Sequence, residues 1–331
     1  MKHVPLSRSK HLLPFSALLN ANGVNVSRLL KKARLSSACL EGPDTLIPGP
    51  WGAFFRELAA QKTGYYNISL EATRHLELED LGDFGKAILM EPTLRGSIGR
   101  FQELAATESS NVTFDLCPQA DGDLWFGLRF PSSVETGEWH DYLYVVCWML
   151  KVAQLADPIW SPAEILLGLK ATPERIAAIE MLGSTARFQQ NGTGFLVPAS
   201  LLALPVTKLL APEALTETGL WSGAPAQTFA GSLRQVIRSH ANDCWLSVED
   251  AGEVINQSVR TLQRRLSTEQ QTYSGLIQQC RAELAGNLLE NSEATIAEIA
   301  NQLGYRNQSH FTRAFYRWAK VSPSEFRQHR R

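Results

Sequence analysis

Thr295-IAEIANQLGYRNQSHFTRAFYRWAKVSPSEFRQ-His329 is the stretch that decides how this chain of 331 residues is read. Ile296, Ile299, Ala300 and Leu303 recur at helical spacing and form one apolar face. Gly304 follows where a left-handed backbone lets a helix stop and turn. Phe311, Phe315 and Trp318 then share the face of a second helix, for which Asn307 or Ser309 is a plausible N-cap. Gln308, Ser309, Arg313 and Arg317 project from its other sides. Two short helices at a steep angle, the second carrying Gln and Arg, have the shape that enters a DNA major groove.

Leu246-SVEDAGEVINQSVRTLQRR-Leu266 repeats this pattern upstream. Gly252 matches Ala300 and Asn256 matches Gly304, each at an offset of 48, whereas Leu262 matches Phe311 at 49, so one residue is inserted in the second turn. The small residue allows close approach of two helices, and Asn tolerates the left-handed region. Ser258 is the expected cap of the second helix, and Leu262 and Leu266 its buried side. Arg260, Thr261, Gln263, Arg264 and Arg265 are left for DNA, as are Asn307, Gln308, Ser309, His310, Thr312, Arg313 and Arg317 in the later copy. Arg and Gln make bidentate contacts with guanine and adenine edges. Surface helices with a solvated basic face are the bland alternative, and a tandem copy at nearly constant offset argues against it. Tyr273 to Leu289 has the pattern of a helix linking the copies.

Composition is compatible with this reading. The formal net charge is −1, but from Leu233 onward there are 13 Lys/Arg against 10 Asp/Glu, and 19 against 23 before it. A basic C-terminal part on an acidic partner domain suits DNA binding. Five cysteines, none in C-x-x-C spacing, imply reduced thiols and neither a disulfide frame nor a zinc site. The first residues have no signal-peptide core, and the apolar run Tyr142 to Ala156 is too short to span a bilayer. A cytoplasmic protein with no membrane partner is expected.

The segment Thr216-ETGLWSGAPAQT-Phe229 lacks periodicity and reads as a linker. Residues 10–215 before it read as an α+β domain, and 230–331 after it as an all-α domain. In the first, helices are expected at 15–22, 26–33, 50–63 and on both sides of Pro92 within 81–104. Val112-TFDLC-Pro118 and Leu124-WFGLR-Phe130 read as a hairpin turning at Asp121-Gly122. Tyr142 to Ala156 reads as an amphipathic helix, Ile165-LLGL-Lys170 as a strand and Pro173 to Met181 as a helix. Ala186-RFQQNGTGFLVPASL-Leu202 reads as a second hairpin turning at Asn191-Gly192.

The C-terminal part resembles the DNA-binding domain of AraC-type (AraC/XylS family) transcription regulators. Its signature stands here as Ala300, Leu303, Gly304, Tyr305, Phe311, Arg313, Phe315, Trp318, Ser322, Pro323, Phe326 and Arg327, and a second element runs from Ser258 to Leu266. The first copy departs from the pattern at Asn256, where Gly is usual, and at Gln257, where an apolar residue is usual. The N-terminal part resembles the arabinose-binding-like effector domain of one branch of that family, through Leu81-GDFG, Pro92-TL, Phe101, the hairpin after it, and Phe195-LVPASLLAL-Pro205. The resemblance implies double-stranded DNA as ligand, a homodimer, a small-molecule effector, and RNA polymerase as the partner of an activator.

No catalytic constellation is found, so no enzyme, metal or cofactor is expected. The acidic residues Glu77, Glu79, Asp80 and Asp83 interleave with leucines and read as a solvated loop. His75 and His140 have no partner at metal spacing. Cys117 lacks the basic neighbours an activated thiol needs, which argues against a DNA-repair methyltransferase. Trp125 and Trp148 are the candidate effector-pocket residues, on the expectation that their strand and helix pack together. The competing reading makes the N-terminal domain a ligand-free protein-interaction module.

Overall fold

The computed structural model describes residues 2–42, 44–131, 136–211, 215, 223–241 and 243–330. Packing divides the chain into two units, Pro5–Pro225 and Met1–Val4 with Ala226–Arg331. Residues 216–222 of the expected linker lie outside the described residues.

The first unit is α+β. Strand β1 (Leu6–Arg8) pairs antiparallel with β2 (Leu46–Pro48), and helices α1 (Leu13–Ala21) and α2 (Val26–Lys32) lie between them in sequence. Next come α3 (Gly49–Thr63), α4 (Ile68–Thr73), α5 (Asp83–Ile88) and α6 (Leu94–Glu108). Proline in the first turn of α3 and a left-handed Gly64 after it set its ends. The Thr93 hydroxyl caps α6 by accepting from the Gly96 N–H. The remaining elements are β3 (Thr113–Pro118), β4 (Leu124–Arg129), α7 (Glu138–Ala153), β5 (Glu164–Leu166), α8 (Pro173–Glu180), β6 (Thr185–Arg187), β7 (Thr193–Val197) and α9 (Ala199–Leu202).

Two expectations change here. The five-stranded sheet has the order β3-β4-β7-β5-β6, so the two strands read as a second hairpin do not pair. The α8 crossover carries β6 into parallel register with β5, and β7 returns antiparallel to β4 and β5. The turn is made by Gln189, at φ 58, and neither Asn191 nor Gly192 takes a positive φ. Helix α7 has no exposed residue, so it is a central helix rather than an amphipathic one. It contributes Trp139, Leu143, Trp148, Met149 and Leu150 to the one core of this unit. His140 is buried in that core and His75 is exposed.

The second unit is all-helical: α10 (Phe229–His240), α11 (Val248–Val254), α12 (Val259–Thr268), α13 (Tyr273–Asn291), α14 (Ile296–Gln302), α15 (Gln308–Ala319) and α16 (Pro323–Arg330). Helix α10 begins at Phe229, one residue inside the segment read as linker. The Val4 N–H donates to Ser232 Oγ at 2.9 Å, which ties the first residues to this unit. Among the described residues no helix is long and apolar enough to cross a membrane.

Candidate DNA interface and effector cavity

The two copies fold alike because their caps are alike. Ser247 and Thr295, 48 residues apart, cap α11 and α14, each in a capping box closed by Asp250 or Glu298. Between the helices of each pair the chain passes through the left-handed region at Asn256 (φ 52) and Gly304 (φ 75). Ser258 then caps α12 and Asn307 caps α15, the latter accepting from His310 N–H at 3.0 Å. The turns differ in one respect. A Cβ on Gly252 would stand 2.7 Å from the Gln257 carbonyl oxygen, so the longer first turn folds back onto a position that must lack a side chain. Gln257 is half-buried, and its side-chain carbonyl accepts no hydrogen bond from any described residue.

On α12, Leu262 and Leu266 are buried while Arg260, Gln263 and Arg264 are exposed. Thr261 is half-buried, its hydroxyl 2.9 Å from Ser258 Oγ within the cap. Arg265 is set apart from this face. Its guanidinium lies 3.8 Å from the Phe229 ring centroid, beside Glu269, which accepts from the Phe229 and Ala230 N–H groups at the start of α10. Burial lowers the Arg265 pKa. On α15, Phe311, Ala314 and Phe315 are buried; Gln308, Ser309, His310, Arg313 and Arg317 are exposed, and Thr312 is half-buried. Tyr305, His310, Thr312, Arg313 and Arg317 wall one concave surface, joined there by Tyr316, an exposed residue that the sequence reading passed over.

Arg260, Arg264, Arg313 and Arg317 form no ion pair with any described residue, whereas Arg234 and Arg238 both bond Glu283. These four unopposed guanidinium groups lie on the exposed faces of α12 and α15. Such groups suit phosphate oxygens and base edges.

The first unit has a partly open cavity of about 80 Å³ against β1, α3, α6 and α7. Its lining is partly apolar, with Phe84, Phe101, Phe114 and Trp148, and partly polar, with Arg8, His11, Arg56, Glu108, Asn111 and Asp141. Its charges balance by pairing. Glu108 takes Lys10 Nζ at 2.9 Å and His11 Nε2 at 3.2 Å, and Arg56 Nη1 donates to Asp141 Oδ1 at 2.7 Å. Burial lowers the His11 pKa against the pull of Glu108, so the ring is neutral near pH 7. With Nε2 facing Glu108 at 3.2 Å, Nδ1 of the neutral ring is the acceptor for the Tyr144 hydroxyl, 3.2 Å away. Burial pushes the Tyr144 pKa up to about 12, which keeps that proton in place. Burial also opposes the Glu108 charge, yet the hydrogen bond from His11 and the nearby Lys10 hold its pKa below the usual value.

Trp148 lines this cavity and Trp125 does not. Strand side chains alternate, and Leu124, Phe126 and Leu128 are the β4 residues that face the core. Trp125 stands on the outer face between Cys117 and Leu196 in register, in an open cleft with Trp160, Pro162 and Pro198. The acidic segment forms a capped turn in which Glu79 pairs with Lys208, and no group of metal-ligating residues occurs among the described residues. No disulfide joins the cysteines among the described residues, and Cys117 and Cys244 are exposed.

Two helix-turn-helix motifs joined to an α+β domain define a DNA-binding transcription regulator. The family model for the arabinose-binding domain of AraC transcription regulators matches residues 23–206, more than half of the chain, and a helix-turn-helix domain model matches 252–329. The chain belongs to the AraC-type transcription regulators. It is 34% identical over 118 residues to the regulator VqsM of Pseudomonas aeruginosa, covering 35% of this chain and 36% of that one. To VirS of Mycobacterium tuberculosis it is 31% identical over 155 residues, 45% of this chain and 44% of that one. The matched stretch thus spans less than half the length of these relatives. The crystal structure of CdpR from Pseudomonas aeruginosa overlaps 96% of this chain and 98% of its own, with a TM-score of 0.45 and 18% identity.

Proposed function

We propose that the protein reads two adjacent major-groove segments, one with α12 and one with α15, under the control of a small molecule held by the N-terminal unit. The observation that carries the DNA reading is the pair of side-chain-capped helices whose exposed arginines form no ion pair with a described residue. Arg260, Gln263 and Arg264 face one segment, and Gln308, Ser309, His310, Arg313 and Arg317 the other. Thr261, Asn307 and Thr312 stand at the edges of these faces, and Arg265 acts through its packing on α10. Supporting effector control is the cavity beside Trp148, whose lining combines aromatic rings with paired charges. A homodimer would place two reading heads on one operator, and RNA polymerase is the downstream partner.

The test is gel shift on duplexes selected from a random pool by the full chain, with a thermal-shift screen of small molecules alongside. A true effector stabilises the protein by RT ln(1 + [L]/Kd) and changes operator affinity. A specific observation favours the alternative, an N-terminal module that binds protein: the outer-face row of exposed Cys117, half-buried Trp125 and exposed Leu196. Trp125→Ala, Leu196→Ser and Trp148→Ala separate them, since only the last should abolish a ligand-induced shift.

A further inference from the structure

We infer that a stack of three side chains, Trp245, Arg281 and Tyr305, holds α12 and α15 at a set separation and angle and thereby fixes the operator spacing the protein accepts. The inference rests on the two-helix reading above. Trp245 precedes α11 and belongs in sequence to the first motif. Its ring nevertheless packs on the core of the second, and its indole N–H donates to the carbonyl of Gln302, the last residue of α14, at 3.4 Å. Arg281, midway along α13, sits with its guanidinium 4.9 Å from the Trp245 ring centroid and 5.2 Å from that of Tyr305. Tyr305 in turn meets Phe311 and Trp318 of α15, at 5.6 and 6.5 Å between centroids. Contact therefore runs unbroken from the first motif through α13 to the second recognition helix.

The stack is also anchored on the side of the first motif. Tyr273 at the start of α13 donates its hydroxyl to the carbonyls of Leu246 and Ser247, 2.9 and 3.1 Å away. These two residues directly follow Trp245 and lead into α11. On the far side, the space beside Trp245 is closed by Gly304, where a Cβ would stand 3.1 Å from the ring. Arg281 has no carboxylate partner among the described residues, and its Nε is buried without an acceptor. An ion pair does not hold it there; the planar guanidinium is held between ring faces, a geometry that a lysine reproduces poorly.

The consequence concerns DNA. The second motif is seated on α13, whose Ala285 and Leu289 belong to its core, and the stack ties that body to the first motif; without this tie the first motif gains freedom to swivel. With it, both recognition helices move as one body. One extra base pair between the two DNA segments shifts the second by about 3.4 Å and turns it by about 35°. A single body cannot follow that displacement, whereas a swivelling pair can.

The experiment uses the full chain and an operator selected from random duplexes by the wild type. Gel-shift affinity is measured on that operator, on the same duplex with one base pair inserted between the two boxes, and on duplexes with either box scrambled. Wild type should lose on the order of tenfold on insertion, because simultaneous engagement fails. Arg281→Gln should lose less than about threefold while keeping wild-type affinity for single-box duplexes, and Tyr305→Phe, which retains the ring, should keep the wild-type penalty. If Arg281→Gln does not fold by circular dichroism, Arg281→Lys carries the test, with a reduced penalty expected. An unchanged insertion penalty in the folded Arg281 variant, or a loss equal on every duplex including single boxes, overturns the inference. A wild type indifferent to scrambling of one box refutes the two-helix reading itself, and the inference falls with it.

Discussion

Gly304 and Asn256 occupy the same backbone position in the two motifs, and that pairing allows a reciprocal prediction. In Gly304→Ala the new methyl group must sit on a left-handed backbone at φ 75. That conformation costs a non-glycine residue roughly 1–2 kcal/mol. The methyl also meets Trp245 Cδ1 at 3.1 Å and Arg281 Nη2 at 3.4 Å, closer than side chains settle without a shift. The two effects together give about 1–3 kcal/mol, the range for a residue held in a sparsely populated region. Asn256→Gly removes the smaller penalty Asn already carries and should be neutral or slightly stabilising. The assay is native-state hydrogen exchange in the full chain, followed at the Leu303 and Tyr305 amides, which bond the Ile299 and Ala300 carbonyls. Gly304→Ala should raise their exchange rates roughly 5–150-fold, with little change for Leu262 in the first motif. Unchanged rates in Gly304→Ala would refute the claim that the second motif depends on this left-handed turn.

Gly252→Ala should loosen the first motif in the same assay, since its methyl would meet the Gln257 carbonyl oxygen at 2.7 Å; protection unchanged at Leu262 would contradict this. Trp318 is only half-buried, so Trp318→Ala should cost less than the roughly 3–5 kcal/mol of a fully buried ring, read as a lowered urea midpoint. The stability of the N-terminal unit should fall in two steps on acidification. His11 has a folded pKa below 6.5, so the unfolded chain binds more protons and stability drops as pH falls below 6.5. Glu108 has a folded pKa below 4.5, so its contribution is present above 4.5 and lost as pH falls through the folded value. His11→Gln should abolish the upper step in urea titrations and leave the lower one.

What the sequence disclosed and what it hid follow from the range of the interactions. The C-terminal helices were legible because their caps and apolar faces are local: Ser258, Asn256 and the pattern of Leu262 and Leu266 each act within one turn. The β3–β4 hairpin was legible for the same reason. The partner of β6 was not, since local pattern cannot reveal that β7 inserts beside β4 and sends β6 to β5. Strand β1 pairs with a segment some forty residues away, and nothing in Leu6–Arg8 announces it. Trp125 is expected beside Trp148 because their strand and helix should pack together, yet period-two alternation turns it to the other face of the sheet. Arg265 looked equivalent to Arg264 in a basic run, but one position along a helix is a turn of about 100°, and that carries it onto Phe229. The Trp245–Arg281–Tyr305 stack joins residues from three elements.

The central claim is that α12 and α15 both enter the major groove of one operator. Hydroxyl-radical footprinting on a selected duplex tests it most directly, with wild type compared against Arg264→Ala and Arg313→Ala. The account predicts two protected boxes about one helical turn apart, roughly 10–10.5 base pairs. Each variant should lose contrast in one box only, at a cost of about 1–3 kcal/mol. A single protected box, or wild-type footprints and affinities in both variants, would contradict it.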